Sequence, residues 1–214
     1  PHECSSAASD VYKRQATWFG LFIMVMLGLM LGYAIFVFVE RFLALRKASK
    51  EEENLLAKVK EYIVDGKIDA AKDFCSRSNS PSARMIEKGI SRLGRPIETI
   101  SASIENTGKL EILRLEQRLS FLATAAGAAP MIGFLGTVVG MIMVFIDLQA
   151  STELSIATIA PGIMTSMVTT VAGLVVGIIA YIGYNFLIAQ IGKVVYTMEN
   201  DALEFMDMLH QPGK

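Results

Sequence analysis

Three long stretches without any Asp, Glu, Lys or Arg constrain the fold of this chain more than any other feature. They are Gln15–Val39, Leu119–Ile146 and Leu154–Gly192, which contain 25, 28 and 39 residues. A helix that crosses a bilayer needs about 20 consecutive apolar residues. A buried helix of a soluble protein has no need for such a length without charge. The sequence therefore predicts an all-α integral membrane protein with three transmembrane helices.

Composition supports this class and excludes others. Hydrophobic residues make up 52% of the 214 residues and charged residues 19%, against about 25% charged in soluble domains. The formal net charge of −1 offers no basic excess for nucleic acid. Two cysteines are too few for a disulfide framework or a cysteine-rich metal site.

The predicted segments follow the charge pattern. We expect transmembrane helices at 16–40, 121–146 and 156–189, a helical segment at 41–120, a short loop at 147–155 and a tail at 190–214. Residues 1–15 resemble a translated sequencing adaptor or other scar, and a genuine tail is the alternative. A cleaved signal peptide is not predicted, because the first apolar stretch is too long and Glu40 and Arg41 follow it directly.

Basic residues next to the predicted helices indicate the orientation. The flanking cations on one side are Arg41, Arg46, Lys47, Lys109, Arg114, Arg118 and Lys193. The loop at 147–155 has two acids and no base. Positive flanks stay in the cytoplasm. We therefore expect a periplasmic N-terminus, cytoplasmic segments at 41–120 and 190–214, and a periplasmic loop.

The segment at 41–120 is predicted to be helical. Helices are expected at 49–64, at 68–75, and from Ser80-Pro81 to about Gly94. A further helix should begin near Pro96 and run unbroken into the second transmembrane helix. The third charge-free stretch is longer than the roughly 30 Å hydrocarbon core requires. Two of the transmembrane helices are therefore expected to extend into long cytoplasmic helices.

Each predicted transmembrane helix contains two glycines four residues apart. The pairs are Gly28 and Gly32, Gly136 and Gly140, and Gly173 and Gly177, and Gly133 lies on the same stripe as Gly140. This spacing places small residues on one helix face, where another backbone can approach closely. Glycine is also common in membrane helices for no special reason. Three pairs in three helices favour a tightly packed bundle and an oligomer.

Hydroxyl side chains share these faces, and ionisable ones are missing. Thr137 continues the stripe of Gly133 and Gly140, and Ser166 and Thr169 continue that of Gly173. Each hydroxyl could instead bond the carbonyl of its own preceding turn. Because no transmembrane stretch contains Asp, Glu, His, Lys or Arg, a proton relay would need a titrating group from another chain. No catalytic constellation is visible, so we expect no enzyme, no cofactor and no metal site.

Two motifs resemble a known family. Ala129–Met143 reads APMIGFLGTVVGMIM, and Ala160–Asn185 reads APGIMTSMVTTVAGLVVGIIAYIGYN. With the short loop between them they resemble the MotA/TolQ/ExbB proton-channel family. Three predicted transmembrane helices with a large segment after the first resemble its ExbB branch, with the TolQ branch a close alternative, rather than the four-helix MotA branch.

The resemblance implies a homo-pentamer in the bacterial inner membrane. The ring would surround single helices from two copies of an ExbD- or TolR-like partner, whose aspartate carries the proton. Proton flow would energise a TonB-like protein for outer-membrane uptake. A TolQ-like role in the Tol envelope system and a non-conducting membrane scaffold are the alternatives. Contacts with membrane lipid are expected, and none with nucleic acid.

The resemblance also implies which residues act. The pore-lining threonines of the family match Thr137 and Thr170. Many relatives carry Glu at the position of Thr165, so the resemblance implies conduction around a partner carboxylate and not a proton path shared in detail. Together with the hydroxyl stripes, the candidates for the pore lining or proton path are Thr137, Thr165, Ser166, Thr169 and Thr170.

Overall fold

The computed structural model describes the backbone of residues 2–50, 55–78, 80–150 and 156–210. Side chains are described in the same ranges apart from 2–17, 48–50, 147, 150 and 157–158. Within these ranges the chain forms α1 (His2–Lys50), α2 (Leu55–Val64), α3 (Ile68–Arg77), α4 (Pro81–Ile90), α5 (Ile97–Glu116), α6 (Leu119–Ala150) and α7 (Ile156–His210). The all-α prediction is confirmed. Residues 151–155 of the predicted loop lie outside the described residues.

Among the described residues, three helices are long and apolar enough to cross a membrane. They are Trp18–Lys47, Leu119–Ile146 and Ile159–His210. Large apolar side chains lie on their surfaces, with Leu29 71% and Met131 74% exposed. Exposed apolar surface of this extent is unfavourable in water and favourable against lipid chains. The chain is therefore a membrane protein, as the charge pattern predicts.

The chain divides into two compact units. The first contains α1 as far as Phe38 together with Arg118–Asn185. Its core includes Ile23 and Leu27 of α1, which are buried against Ala129 and Val176. This unit carries the predicted glycine and hydroxyl stripes. Its packing is therefore what positions the candidate site.

The second unit contains Val39–Gln117 and the chain from Phe186 onward. The Ser80 hydroxyl accepts a hydrogen bond from the amide of Ala83 at 3.1 Å, and Pro81 is the first residue of α4. This start of a helix is as predicted. The Asp65-Gly66 break is also confirmed, since Gly66 has φ +72° after α2 ends. The helix expected from Ser49 is described only from Leu55, and Ser49 itself lies within α1.

The helix predicted to run unbroken from Pro96 into the second transmembrane helix is wrong. Helix α5 ends at Glu116, α6 begins at Leu119, and Arg118 between them has φ 68°. A residue in this left-handed conformation interrupts the α-helical hydrogen bonds, and side chains other than Gly, Asn and Asp rarely adopt it. The predicted extension of the third helix is confirmed, because α7 continues for 55 residues.

Candidate functional site

The backbones of α6 and α7 touch at two glycines. A Cβ atom placed on Gly173 would lie 2.5 Å from the Ala129 carbonyl oxygen and 2.9 Å from the Gly133 Cα. One placed on Gly133 would lie 2.8 Å from the Thr169 carbonyl oxygen. No side chain fits in such a space. Glycine at both positions therefore allows the two helices to pack backbone against backbone.

Two further glycines of α6 lie against hydroxyl side chains of α7. A Cβ on Gly136 would lie 2.5 Å from the Thr169 Oγ1. A Cβ on Gly140 would collide with the Ser166 Oγ. Both hydroxyl-bearing side chains are buried, Ser166 at 2% and Thr169 at 3% exposure. The glycines thus provide the space that these two polar side chains occupy between the helices.

The remaining glycines of the predicted stripes fall into two groups. A Cβ on Gly177 would lie 2.6 Å from the ring of Pro130, so this glycine also belongs to the contact of α6 with α7. On α1, no described atom lies within 4 Å of a Cβ on Gly28 or Gly32. Their role in helix packing stays a prediction that needs a neighbour other than the described residues.

Thr137 and Thr170 join α6 to α7 through hydrogen bonds. The Thr137 hydroxyl donates to the carbonyl of Ser166 at 3.2 Å, and the Thr170 hydroxyl donates to the carbonyl of Gly133 at 3.1 Å. The two hydroxyl oxygens also contact each other. Both residues are half-buried. These hydroxyls therefore bond across the helices, on side chains that are only partly buried.

The other candidate hydroxyls bond within their own helix. Thr165 donates to the carbonyl of Pro161 at 2.9 Å and is exposed. Ser166 donates to the carbonyl of Gly162 at 2.8 Å, and Thr169 donates to that of Ser166 at 2.7 Å. These three hydroxyls thus bond a carbonyl of the preceding turn of their own helix, which was the alternative to a role between helices. Thr169 lies between the helices as well, with the Gly133 carbonyl 3.4 Å away.

This face of α6 and α7 can donate and accept hydrogen bonds but contains no charged side chain. Its polar groups are hydroxyls and backbone carbonyls, and the charge-free stretches that contain it hold no Asp, Glu, His, Lys or Arg. A hydroxyl donates to a carboxylate and accepts from a carboxylic acid, so it can stabilise either state.

Sequence reasoning missed two buried carboxyl groups in the second unit. Glu111 and Asp201 are 2% and 8% exposed. The two Glu111 oxygens pair with Arg84 and Arg114 at 2.5 and 2.6 Å. The Arg114 contact has the three-residue spacing of a helical pair and is visible in the sequence. The Arg84 contact joins residues 27 positions apart, for which the sequence carries no signal.

Comparison with known proteins links the motifs to a family. A family model described as the MotA/TolQ/ExbB proton channel family matches residues 77–200. The chain is 30% identical to the biopolymer transport protein ExbB of Salmonella typhimurium over 200 residues, which are 85% of this chain and 79% of that protein. Its identity to the ExbB of Neisseria gonorrhoeae is 35% over 106 residues, 50% and 47% of the two chains.

The TolQ branch matches as well. The chain is 36% identical to the Tol-Pal system protein TolQ of Haemophilus influenzae over 101 residues, which are 47% of this chain and 44% of that protein. The chain therefore spans less than half the length of this relative.

Proposed function

We propose, from the premise that this chain belongs to the MotA/TolQ/ExbB proton channel family, that it is the pore-forming subunit of an inner-membrane proton-driven motor. Five copies would form a ring around single helices from two copies of an ExbD- or TolR-like partner. The N-terminus would be periplasmic and the C-terminus cytoplasmic. The family match extends over more than half of the 214 residues, which supports the assignment.

The pair of cross-helix hydroxyls is the observation that carries this proposal. Thr137 and Thr170 are half-buried, and their hydroxyls bond the backbone carbonyls of Ser166 and Gly133. The stretches that contain these groups have no charged side chain. An ionised carboxylate inside a membrane protein is costly, whereas the protonated acid is tolerated. A partner aspartate that moves along this face would therefore take up and release its proton according to its position, and movement would be coupled to proton flow.

The ExbB branch is the better assignment of the two. The alignment with the Salmonella typhimurium ExbB covers 85% of this chain, whereas the Haemophilus influenzae TolQ alignment covers 47%. The motor would then energise a TonB-like protein for uptake through the outer membrane. Coupling to a TolR-like partner in the Tol envelope system is the second candidate, because the chain is 36% identical to the Haemophilus influenzae TolQ over 101 residues.

Proton flux in proteoliposomes tests the assignment. The chain is reconstituted with a candidate single-helix partner, and a potassium diffusion potential drives protons past an enclosed pH-sensitive dye. Thr137→Val and Thr170→Val each remove one hydroxyl with little change of shape, and each should lower the flux by about three- to tenfold. The Ser variants keep the hydroxyl and should restore it.

Thr124→Val is the matched control, since the Thr124 hydroxyl is exposed and bonds the Ser120 carbonyl of its own helix at 2.8 Å. Unchanged flux in both Val variants would contradict the assigned roles. Absence of flux from the wild-type complex would favour the non-conducting scaffold. Native mass spectrometry should find five copies of this chain with two partner chains, and a monomer that ignores the partner would contradict the ring.

A further inference from the structure

A groove runs between α5 and the last part of α7 in the second unit. At one end it holds about 510 Å³, with the buried Met85, Gly108 and Met198 at its floor. At the other end it lies between Ile97 of α5 and His210 of α7. The two ends have lining residues in common, so they form one groove. We call it the α5–α7 groove.

Two leucines are exposed on a different side of α5. Leu110 and Leu113 are 59% and 64% exposed, and neither lines the groove. Leu110 is two residues before Ile112, which does line it. Two residues turn an α-helix by about 200°. The two leucines, called the leucine face below, therefore point to another side of α5 than the groove of their own chain.

The leucine face lies outside the membrane-spanning stretches. The second of these stretches begins at Leu119, six residues after Leu113. The charged residues Arg114 and Glu116 lie between the two, so the hydrocarbon of the bilayer does not cover the leucines. Burial of two neighbouring leucines against another protein surface is favourable.

Ring symmetry would bring the leucine face and the groove to the same height. Copies in a ring within one membrane are related by rotation about the membrane normal, so each residue has the same depth in every copy. Leu110 of one copy is then level with Lys109 and Ile112 of the next copy, which line the groove. Because the two surfaces lie on different sides of α5, one copy can use both at once. The head-to-tail contacts of a closed ring require this.

The two surfaces also match in charge. The groove is lined by the carboxylates of Glu98, Glu105 and Glu199 and by the amine of Lys109, which pairs with Glu105 at 2.7 Å. Its lining is therefore acidic overall. The leucine face has no charge, and the residue that follows it, Arg114, is a cation that is 66% exposed. The leucine face can thus enter the groove without meeting a like charge.

We propose that the leucine face of one copy packs into the α5–α7 groove of the next copy. The flexible side chains of Met85 and Met198 can adapt to the two leucines. This contact rests on the ring of the proposed function and assigns the surfaces that close it. Two partner chains could fill no more than two of five grooves, whereas five copies of this chain fill all of them.

Disulfide cross-linking of the full chain in the membrane tests the contact. Leu110→Cys is placed on a copy with one tag and Glu199→Cys on a copy with another, both in a Cys4→Ser, Cys75→Ser background. Glu199 is exposed and lines the same end of the groove as Ile112. A disulfide needs Cα atoms within about 7 Å of each other. A mild oxidant should therefore join the two tags.

Lys193→Cys in place of Glu199→Cys is the matched control. Lys193 is exposed on the same helix, six residues before Glu199, and does not line the groove. Its yield of cross-link to Leu110→Cys should be at least about tenfold lower. Equal yields from the two positions would overturn the proposal.

Removal of the leucine face gives a second test. In Leu110→Gln/Leu113→Gln the association of copies, measured by native mass spectrometry over a range of concentrations in detergent, should weaken by at least about tenfold. Both leucines are exposed in the single chain, so the fold should remain, and circular dichroism checks this. Val64→Gln is the control and should leave association unchanged, because Val64 is 78% exposed on α2, outside both surfaces.

These measurements separate the contact from the proposed function. A wild-type ring of five copies that gives no cross-link above the control, or that is as stable without the leucine face, would overturn the contact and leave the proposed function standing. A wild-type chain that stays monomeric would contradict the ring and both proposals with it.

Discussion

The backbone contact at Gly173 predicts a large effect of a single methyl group. In Gly173→Ala the new Cβ would lie 2.5 Å from the Ala129 carbonyl oxygen, where ordinary contacts begin at 3.4 Å. The opposing atoms belong to the backbone, so no side chain can turn away. Helices α6 and α7 would have to separate by about 0.9 Å, the difference between these two distances.

The expected loss of stability is the sum of two contributions that lower the free energy of unfolding and one that raises it. Overpacking of this kind costs about 1–3 kcal/mol. Alanine returns about 1 kcal/mol in a helix relative to glycine. Separation also stretches the two cross-helix hydroxyl bonds of Thr137 and Thr170, which together contribute about 1 kcal/mol in a membrane protein. The free energy of unfolding should therefore fall by about 1–3 kcal/mol.

Reversible unfolding in mixed micelles, followed by circular dichroism as the fraction of denaturing detergent rises, measures this difference. Gly127→Ala is the control, because Gly127 is an exposed glycine of α6 and no described atom beyond the backbone of its own helix lies within 4 Å of its added Cβ. That variant should gain up to about 1 kcal/mol from helix propensity. Equal stability of the two variants would refute the argument that Gly173 is required for backbone contact.

Two further predictions concern the second unit. Glu111→Gln should lower the free energy of unfolding by about 2 kcal/mol, since it leaves Arg84 without its buried counter-charge. Glu105 pairs with Lys109 at the surface, so Glu105→Gln should leave the free energy of unfolding unchanged. An equal loss of stability in Glu105→Gln and Glu111→Gln would contradict the reasoning. Burial, helped by Glu87, raises the pKa of the Cys75 thiol from 9.0 to about 11. At pH 8 alkylation of Cys75 in a Cys4→Ser background should therefore be at least about 100-fold slower in folded than in unfolded protein, and equal rates would refute its burial.

The charge pattern predicts the membrane helices because each charged residue is unfavourable in hydrocarbon whatever its contacts with the rest of the chain. The break at Arg118 could not be predicted in this way. Residues other than Gly, Asn and Asp rarely adopt a left-handed conformation, so nothing in the local sequence indicates the φ of 68° at Arg118. The apolar spacing before and after it continues as if one helix were present.

The sequence predicts part of the candidate site. It gives no information on contacts between residues that are far apart along the chain. Spacing placed hydroxyls and glycines on common faces, but it could not separate side chains that bond across helices from those that bond their own turn. Thr165 and Thr170 look alike in sequence, yet the first bonds Pro161 and the second bonds Gly133 of α6. Only the family resemblance singled out Thr170 beforehand. Likewise, nothing in the sequence joined Arg84 to Glu111.

In the contact between α6 and α7, Gly133 takes part both in the close backbone packing and in a cross-helix hydrogen bond. The Gly133 carbonyl accepts the Thr170 hydrogen bond, and the Gly133 Cα is among the atoms nearest to a Cβ on Gly173. A change in helix separation must therefore alter the hydroxyl geometry. The converse need not hold, since Thr170→Val keeps the glycine contact.

If the proposed function is right, Gly173→Ala should lower both stability and flux, whereas Thr170→Val should lower flux with a much smaller loss of stability. A Gly173→Ala variant that loses stability but conducts normally would show that the hydroxyl geometry does not limit conduction.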